Sequence, residues 1–342
     1  MGFMQPDLPD LDYPRWRAQP RAQRVRTMVV HWADKGFGTP DAVYLLYILK
    51  IAGYLAAAVF FVVLTPGVGG VGDIGRWWAE PIVFEKVVLW NLLFEVLGLG
   101  CGFGPLTLRF LPPLGSFLYW LRPGTIRLPP WPGRVPGTRG TTRTMLDVIG
   151  YAGVLAAAVW ALLAPASRGL SGLPGQVGLI SPARLWPLVI LLPLVGLRDK
   201  TIFLAARAEV YGTLTLILLL PGTDMLVTAK FFLLLLWWGA ATSKLNHHFP
   251  HVVSVMMANN PLWRVKALKR RLFESYPDDL RPGALSRALA HGGTVVEFTV
   301  PLLMFLSRGG MLTAVAATIM VVFHLNILTS IPLGVPLEWN VS

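Results

Sequence analysis

VYLLYILKIAGYLAAAVFFVVL, residues 43–64, decides the class of this chain. The run carries one charge, Lys50. Wound as a helix at 1.5 Å per residue it reaches about 33 Å, enough to cross a hydrocarbon layer of about 30 Å. Seven more apolar stretches follow: Ile82–Leu99, Met145–Leu163, Leu185–Leu197, Thr201–Leu220, Met225–Thr242, Leu289–Leu306 and Met311–Ile331. The pattern predicts an all-α, polytopic transmembrane helix bundle of about eight spans. Leu185–Leu197 is the weakest, being short and interrupted by Pro187 and Pro193.

Composition agrees. Of 342 residues, 54% are hydrophobic and 14% charged, against about 25% charged in a soluble domain. Mean hydropathy is +0.57. The positive charges alternate. Twenty-two Lys and Arg fall in the N-terminal tail and every second gap after it, four in the intervening gaps, and four inside spans. Loops that stay in the cytoplasm retain Lys and Arg, so both termini are expected to be cytoplasmic and the protein to reside in the plasma membrane. The net charge of +12 then points to anionic lipid headgroups as partner. No recognised motif accompanies it that would suggest nucleic acid. Cys101 is the single cysteine, which excludes an intramolecular disulfide and a thiolate metal cluster.

Three non-spanning segments stand out. Residues 1–41 form a basic cytoplasmic arm, with a membrane-surface helix expected over Gln19–Lys35. Residues 98–144 are rich in Gly and Pro. Phe110, Phe117, Tyr119, Trp120 and Trp131 alternate there with Arg109, Arg122, Arg127 and Arg134. Aromatic residues next to arginines suit the headgroup layer, and the stretch reads as a broken interfacial or partly re-entrant segment on the cytoplasmic side, packed under the bundle. Residues 243–287 are a second basic cytoplasmic segment, with an amphipathic surface helix expected over Leu262–Tyr276. Residues 332–342 are a C-terminal stub.

Charges inside spans point to sites, because each costs about 2.5–3.5 kcal/mol at a helix centre unless paired or wetted. Glu95, Asn91, Arg207, Glu209, Lys230 and Glu297 are therefore expected to form an intramembrane polar network. Asn91 and Glu95 share a helix face at a spacing of four. His324 lies deep in the last span, and His291 opens the one before it. His247, His248 and His251 cluster after the sixth span, but no carboxylate accompanies them and Pro250 interrupts their helical spacing, so no metal site is expected. GVGGVG at 67–72 has dinucleotide-loop spacing but follows a membrane helix rather than a strand, and reads as an outer loop.

WADKGFGTP (32–40), EPIVF (80–84), LGCGFGPL (99–106), LRPGTIRLPPWP (121–132) and GVPLEWNV (334–341) closely resemble an actinobacterial multi-pass membrane family of unknown function, the domain of unknown function 3556. Members of that family run on past this point, so the resemblance implies a C-terminally truncated chain. A more distant likeness covers about 235–330. GAATSKLN (239–246), HGG (291–293) with an acid following, and FHLN (323–326) resemble the vitamin K-dependent carboxylase and horizontally transferred transmembrane group. That resemblance implies a membrane enzyme with a quinone-like cofactor or lipid substrate, Lys244 as general base, and His291 and His324 nearby. The acidic-Trp pair usual after the lysine is replaced here by His247-His248-Phe249-Pro250. The residues leave two other readings open: a transporter or lipid-handling channel using the polar network, and a non-catalytic envelope scaffold.

Overall fold

The computed structural model describes residues 2–100, 117–204 and 207–330. Among the described residues five helices are long and apolar enough to cross a membrane: Asp41–Val63, Met145–Leu162, Gly222–Ser243, Ala284–Leu306 and Gly310–Thr329. Two short antiparallel strand pairs accompany them there. The fold is thus a mostly helical one with several helices of spanning length, and these five do not by themselves make up the expected eight spans. Two others fall short. Pro81–Val96 has sixteen residues, about 24 Å of helix, and Pro182–Arg198 has seventeen and contains both prolines. The expected span Thr201–Leu220 is not one helix. Thr201–Leu204 and Ala208–Ile217 are separate, and Arg207 between them takes a left-handed conformation with φ of 52°. A chain turned through that region cannot continue a right-handed helix.

The chain divides into two compact units. One comprises residues 1–50 and 233–335, the other residues 51–232 and 336–342.

The second unit is built on Pro81–Val96. Proline opens this helix where no intrahelical N–H is needed. Thirteen of its sixteen residues are buried, as expected of a helix apolar on all sides. It packs against Met145–Leu162, Ala208–Ile217 and the strand Leu179–Ile180. Its polar residues are satisfied one by one. Glu85 accepts from Arg168 Nη2 at 3.0 Å and from the Ile180 N–H at 2.7 Å. Lys86 donates to the Leu162 and Ala164 carbonyls at 2.5 and 2.6 Å, placing a cation at the C-terminus of Met145–Leu162. Asn91 accepts from the Tyr54 hydroxyl. Around it Tyr54, Phe61, Trp90 and Phe94 form an aromatic cluster.

The Gly/Pro segment, where described, is anchored to the helices by buried arginines. Arg127 is 1% exposed. It donates to Asp147 at 3.3 Å and to the Arg139 and Gly140 carbonyls at 2.6 and 3.1 Å. Asp147 also accepts from Arg198 Nε at 2.6 Å, and caps its own helix through the Thr144 N–H and hydroxyl, both at 2.7 Å. Beside this, Arg143 meets Asp199 at 2.6 Å, and Asp199 accepts from the Leu128 N–H at 3.2 Å. Three arginines and two aspartates thus lock the irregular segment to the ends of two helices. The remainder of the expected segment, 101–116, lies outside the described residues, as do Ile331 and the C-terminal stub.

In the first unit the two basic segments fold together. Arg21–Lys35, Phe249–Asn259, Lys266–Arg270 and the hairpin Phe273–Ser275/Asp279–Pro282 surround a core of Ala33, Val253, Met257, Ala258, Leu272 and Phe273. The helix expected over Leu262–Tyr276 is thus replaced by one turn of helix and a strand. Leu272 and Phe273 enter this core instead of facing a membrane, and Tyr276-Pro277-Asp278 makes the turn. Pro250 opens the helix Phe249–Asn259 instead of breaking it. Gly36 turns the chain at φ of 72°, where a Cβ would stand 2.8 Å from Asn259 Oδ1. That oxygen accepts the Phe37 N–H at 2.9 Å. Lys269 donates to the Ala258 carbonyl at 2.7 Å, and burial holds it below the ordinary lysine range, with Asp34 partly opposing.

Candidate functional site

The site lies wholly in the first unit, where the end of Gly222–Ser243 meets Ala284–Leu306 and Gly310–Thr329. The latter two are consecutive helices joined through Ser307-Arg308-Gly309, and they pack side by side. Trp238 ties the first helix to the second by donating to the Phe298 carbonyl at 3.0 Å.

Lys244 follows the helix Gly222–Ser243 directly, and its ammonium pairs with Glu297 Oε1. The pair is asymmetric in burial. The Glu297 side chain is 4% exposed and that of Lys244 26%. Glu297 Oε2 is buried with no hydrogen-bond partner among the described residues. Opposite charges about 4 Å apart attract by about 4 kcal/mol at an effective dielectric of 20, which sets the scale of what holds a carboxylate here. The Lys244 Nζ also lies 5.8 Å from the centre of the Phe249 ring.

His324 lies on the third of these helices. Its Nδ1 is 2.8 Å from the Met320 carbonyl, a bond that requires the Nδ1–H tautomer. Trp237 meets its ring edge-on at 4.9 Å between centroids. His324 and the Lys244–Glu297 pair thus lie on helices that pack in the same unit, each beside aromatic rings.

His291 is placed differently. It is exposed, and its side chain makes no hydrogen bond among the described residues. Six residues before Glu297 on the same helix, it lies about 120° around the axis. The expected polar network is also distributed. Asn91 is held by Tyr54. Arg207 pairs locally with Glu209 at 3.1 Å, both partly exposed. Glu95 is fully buried, and neither it nor Lys230 lacks a partner. The largest polar cluster, Arg127, Arg143, Arg198, Asp147 and Asp199, was absent from that list. Its arginines stand among prolines and aromatics, and this context is the same for a buried residue and an interfacial one. Asp147 alone carried a signal, as an acid three residues after Thr144 at a helix start. Among the described residues, no group of three or more His, Cys, Asp or Glu is arranged to hold a metal ion.

Helices of this length and apolarity, with buried charges paired internally, define an α-helical transmembrane protein. The chain belongs to the family described as transmembrane protein of unknown function (DUF3556), whose model matches residues 1–342. No curated protein and no solved structure matched. The likeness to the carboxylase group therefore rests on the motif residues alone.

Proposed function

We propose that this is a multi-pass plasma-membrane enzyme that accepts a proton from a hydroxyl of a quinol-like or lipid substrate, with Lys244 and Glu297 acting as one proton-accepting unit. The observation that carries this reading is the pair itself. Its buried carboxylate keeps one oxygen without a donor, and its lysine sits at the more open edge. A substrate O–H supplies the donor that Glu297 Oε2 lacks. The proton moves to the carboxylate, and the Lys244 ammonium stands beside the resulting oxyanion. In this step Glu297 is the base, and Lys244, expected from the resemblance to be the base, serves as the counter-cation. Trp237, Phe249 and His324 suit a planar ring, and His324 is the candidate to pass the proton onward.

With Pro81–Val96, Pro182–Arg198 and the segment over Thr201–Leu220 read as crossing too, the number of passes is even, and the alternating charge then supports cytoplasmic termini with anionic headgroups against the basic segments. The local pairing of Arg207 with Glu209, and the holding of Asn91 by Tyr54, favour an enzyme over a transporter or channel with one polar pathway. A non-catalytic envelope scaffold is the reading left if the pair binds nothing.

The test is a binding titration. The full chain in phosphatidylcholine nanodiscs is mixed with a short-chain naphthoquinol and followed by tryptophan fluorescence. Saturable quenching that weakens at least tenfold in Glu297→Gln supports the proposal. Identical titrations for both proteins refute it.

A further inference from the structure

We propose that the loop over residues 133–139 is a binding site for a phosphate group, independent of the Lys244–Glu297 site. The loop borders a cavity of about 530 Å³ lined by Gly133, Arg134, Val135, Pro136, Gly137 and Arg139. Two guanidinium groups line it and no carboxylate does. Arg134 and Arg139 are both exposed, and neither has an ion pair or hydrogen-bonded side chain among the described residues. This sets them apart from Arg127, Arg143 and Arg198, which are all engaged.

The backbone is biased in the same direction. Five carbonyls in and around the loop are already occupied. Those of Trp131 and Val135 accept from the Thr138 hydroxyl at 3.2 and 2.7 Å. That of Gly137 accepts from Arg198 Nη1 at 2.7 Å, and those of Arg139 and Gly140 accept from Arg127. The N–H groups of Val135, Gly137 and Arg139, by contrast, make no hydrogen bond among the described residues. Loop acceptors are spent on Thr138, Arg127 and Arg198, while loop donors and two guanidiniums stay available. A surface that offers donors and positive charge recognises an anion. Arginine forks match the paired oxygens of phosphate better than a single lysine charge does.

The loop is also held in place. Arg127 and Arg198 grip it from the buried side and are themselves fixed by Asp147. The Arg139 stem passes within 3.8 Å of where a Gly133 Cβ would stand, so the side chain folds back over the start of the loop. Such a site pays little ordering entropy when it is filled. The cavity has room for a phosphate with its attached alcohol. The phosphate is that of either a lipid headgroup or a soluble phosphorylated compound.

The experiment uses the full chain in phosphatidylcholine nanodiscs, with dioctanoyl phosphatidic acid and inorganic phosphate as probes. The wild type should bind the short lipid saturably. The double variant Arg134→Gln/Arg139→Gln should weaken binding at least tenfold with its melting temperature unchanged, because both side chains are exposed. Arg134→Lys/Arg139→Lys should fall between. Competition by inorganic phosphate at a similar concentration identifies a soluble phosphate compound as the ligand. Failure to compete at a hundredfold excess identifies the lipid headgroup. Equal binding by the wild type and the Gln double variant, or no saturable binding by the wild type, overturns the proposal.

Discussion

The Lys244 ammonium and the Glu297 carboxylate form an ion pair across 53 residues of sequence, with the acid almost fully enclosed and the base at the edge. The proposed chemistry requires that asymmetry, and it allows function to be separated from stability. Glu297→Gln should cost about 1–2 kcal/mol, less than a fully buried pair, because Lys244 keeps some solvent. Lys244→Met/Glu297→Leu should recover most of that loss, since apolar side chains of similar volume often replace a buried pair without penalty. Quinol binding should be lost in both. Thermal unfolding together with the fluorescence titration checks this. Recovery of binding along with stability in the double variant would assign the pair a structural role.

The arginine–aspartate cluster of the second unit should behave as structure. Asp147→Asn removes the charge facing Arg127 and Arg198 while preserving shape. Arg127, at 1% exposure, is then left as an uncompensated buried cation. A loss of about 3–5 kcal/mol is expected. The measurement is the melting temperature and folded yield in detergent. A melting temperature equal to that of the wild type would show that the cluster carries no stability.

How much of this was readable beforehand depended on how far each signal travels along the chain. The spanning helices at Asp41–Val63, Gly222–Ser243 and Gly310–Thr329 follow their apolar runs closely, because length and hydropathy are local. A buried charge announces that it needs a partner, which made Glu297 a candidate; Lys244 was one through the resemblance to the carboxylase group, and the pairing itself was not legible. Arg143 and Asp199 lie 56 residues apart and nothing local joins them. Arg207 was misread for another reason. Ala-Ala-Arg-Ala-Glu contains no helix breaker, so the left-handed turn there has no signature in residue type. The Leu262–Tyr276 helix failed because Leu272 and Phe273 fit an amphipathic helix and a buried strand equally well.

The N-terminal arm should prove part of the fold. Ala33 lies in a core with Val253, Met257 and Ala258, and His31 Nε2 is 3.0 Å from the Asp7 carbonyl. Deleting residues 2–36 uncovers that core. Limited proteolysis should then cut within 249–282, where the intact chain resists. An unchanged digestion pattern would return the arm to the status of a solvated tail.

Orientation can be read with single cysteines in a Cys101→Ser background. Arg134→Cys and Lys266→Cys should label only after the inner face is opened to a membrane-impermeant maleimide, and Gly72→Cys should label in intact cells. Gly72 has open space around it, so the substitution is sterically free. Labelling of Lys266→Cys from outside would invert the topology drawn from the charge pattern.

The most direct measurement of the central claim is a photocrosslinking map. A photoreactive naphthoquinone is irradiated with the full chain in phosphatidylcholine nanodiscs, and the labelled peptides are identified by mass spectrometry. The proposed site predicts adducts confined to the segments that carry Trp237–Phe249 and Phe323–Asn326, abolished by excess unlabelled quinone and by Lys244→Met/Glu297→Leu. Adducts spread along the exposed faces of all five long helices, unaffected by competitor and double variant alike, would contradict it.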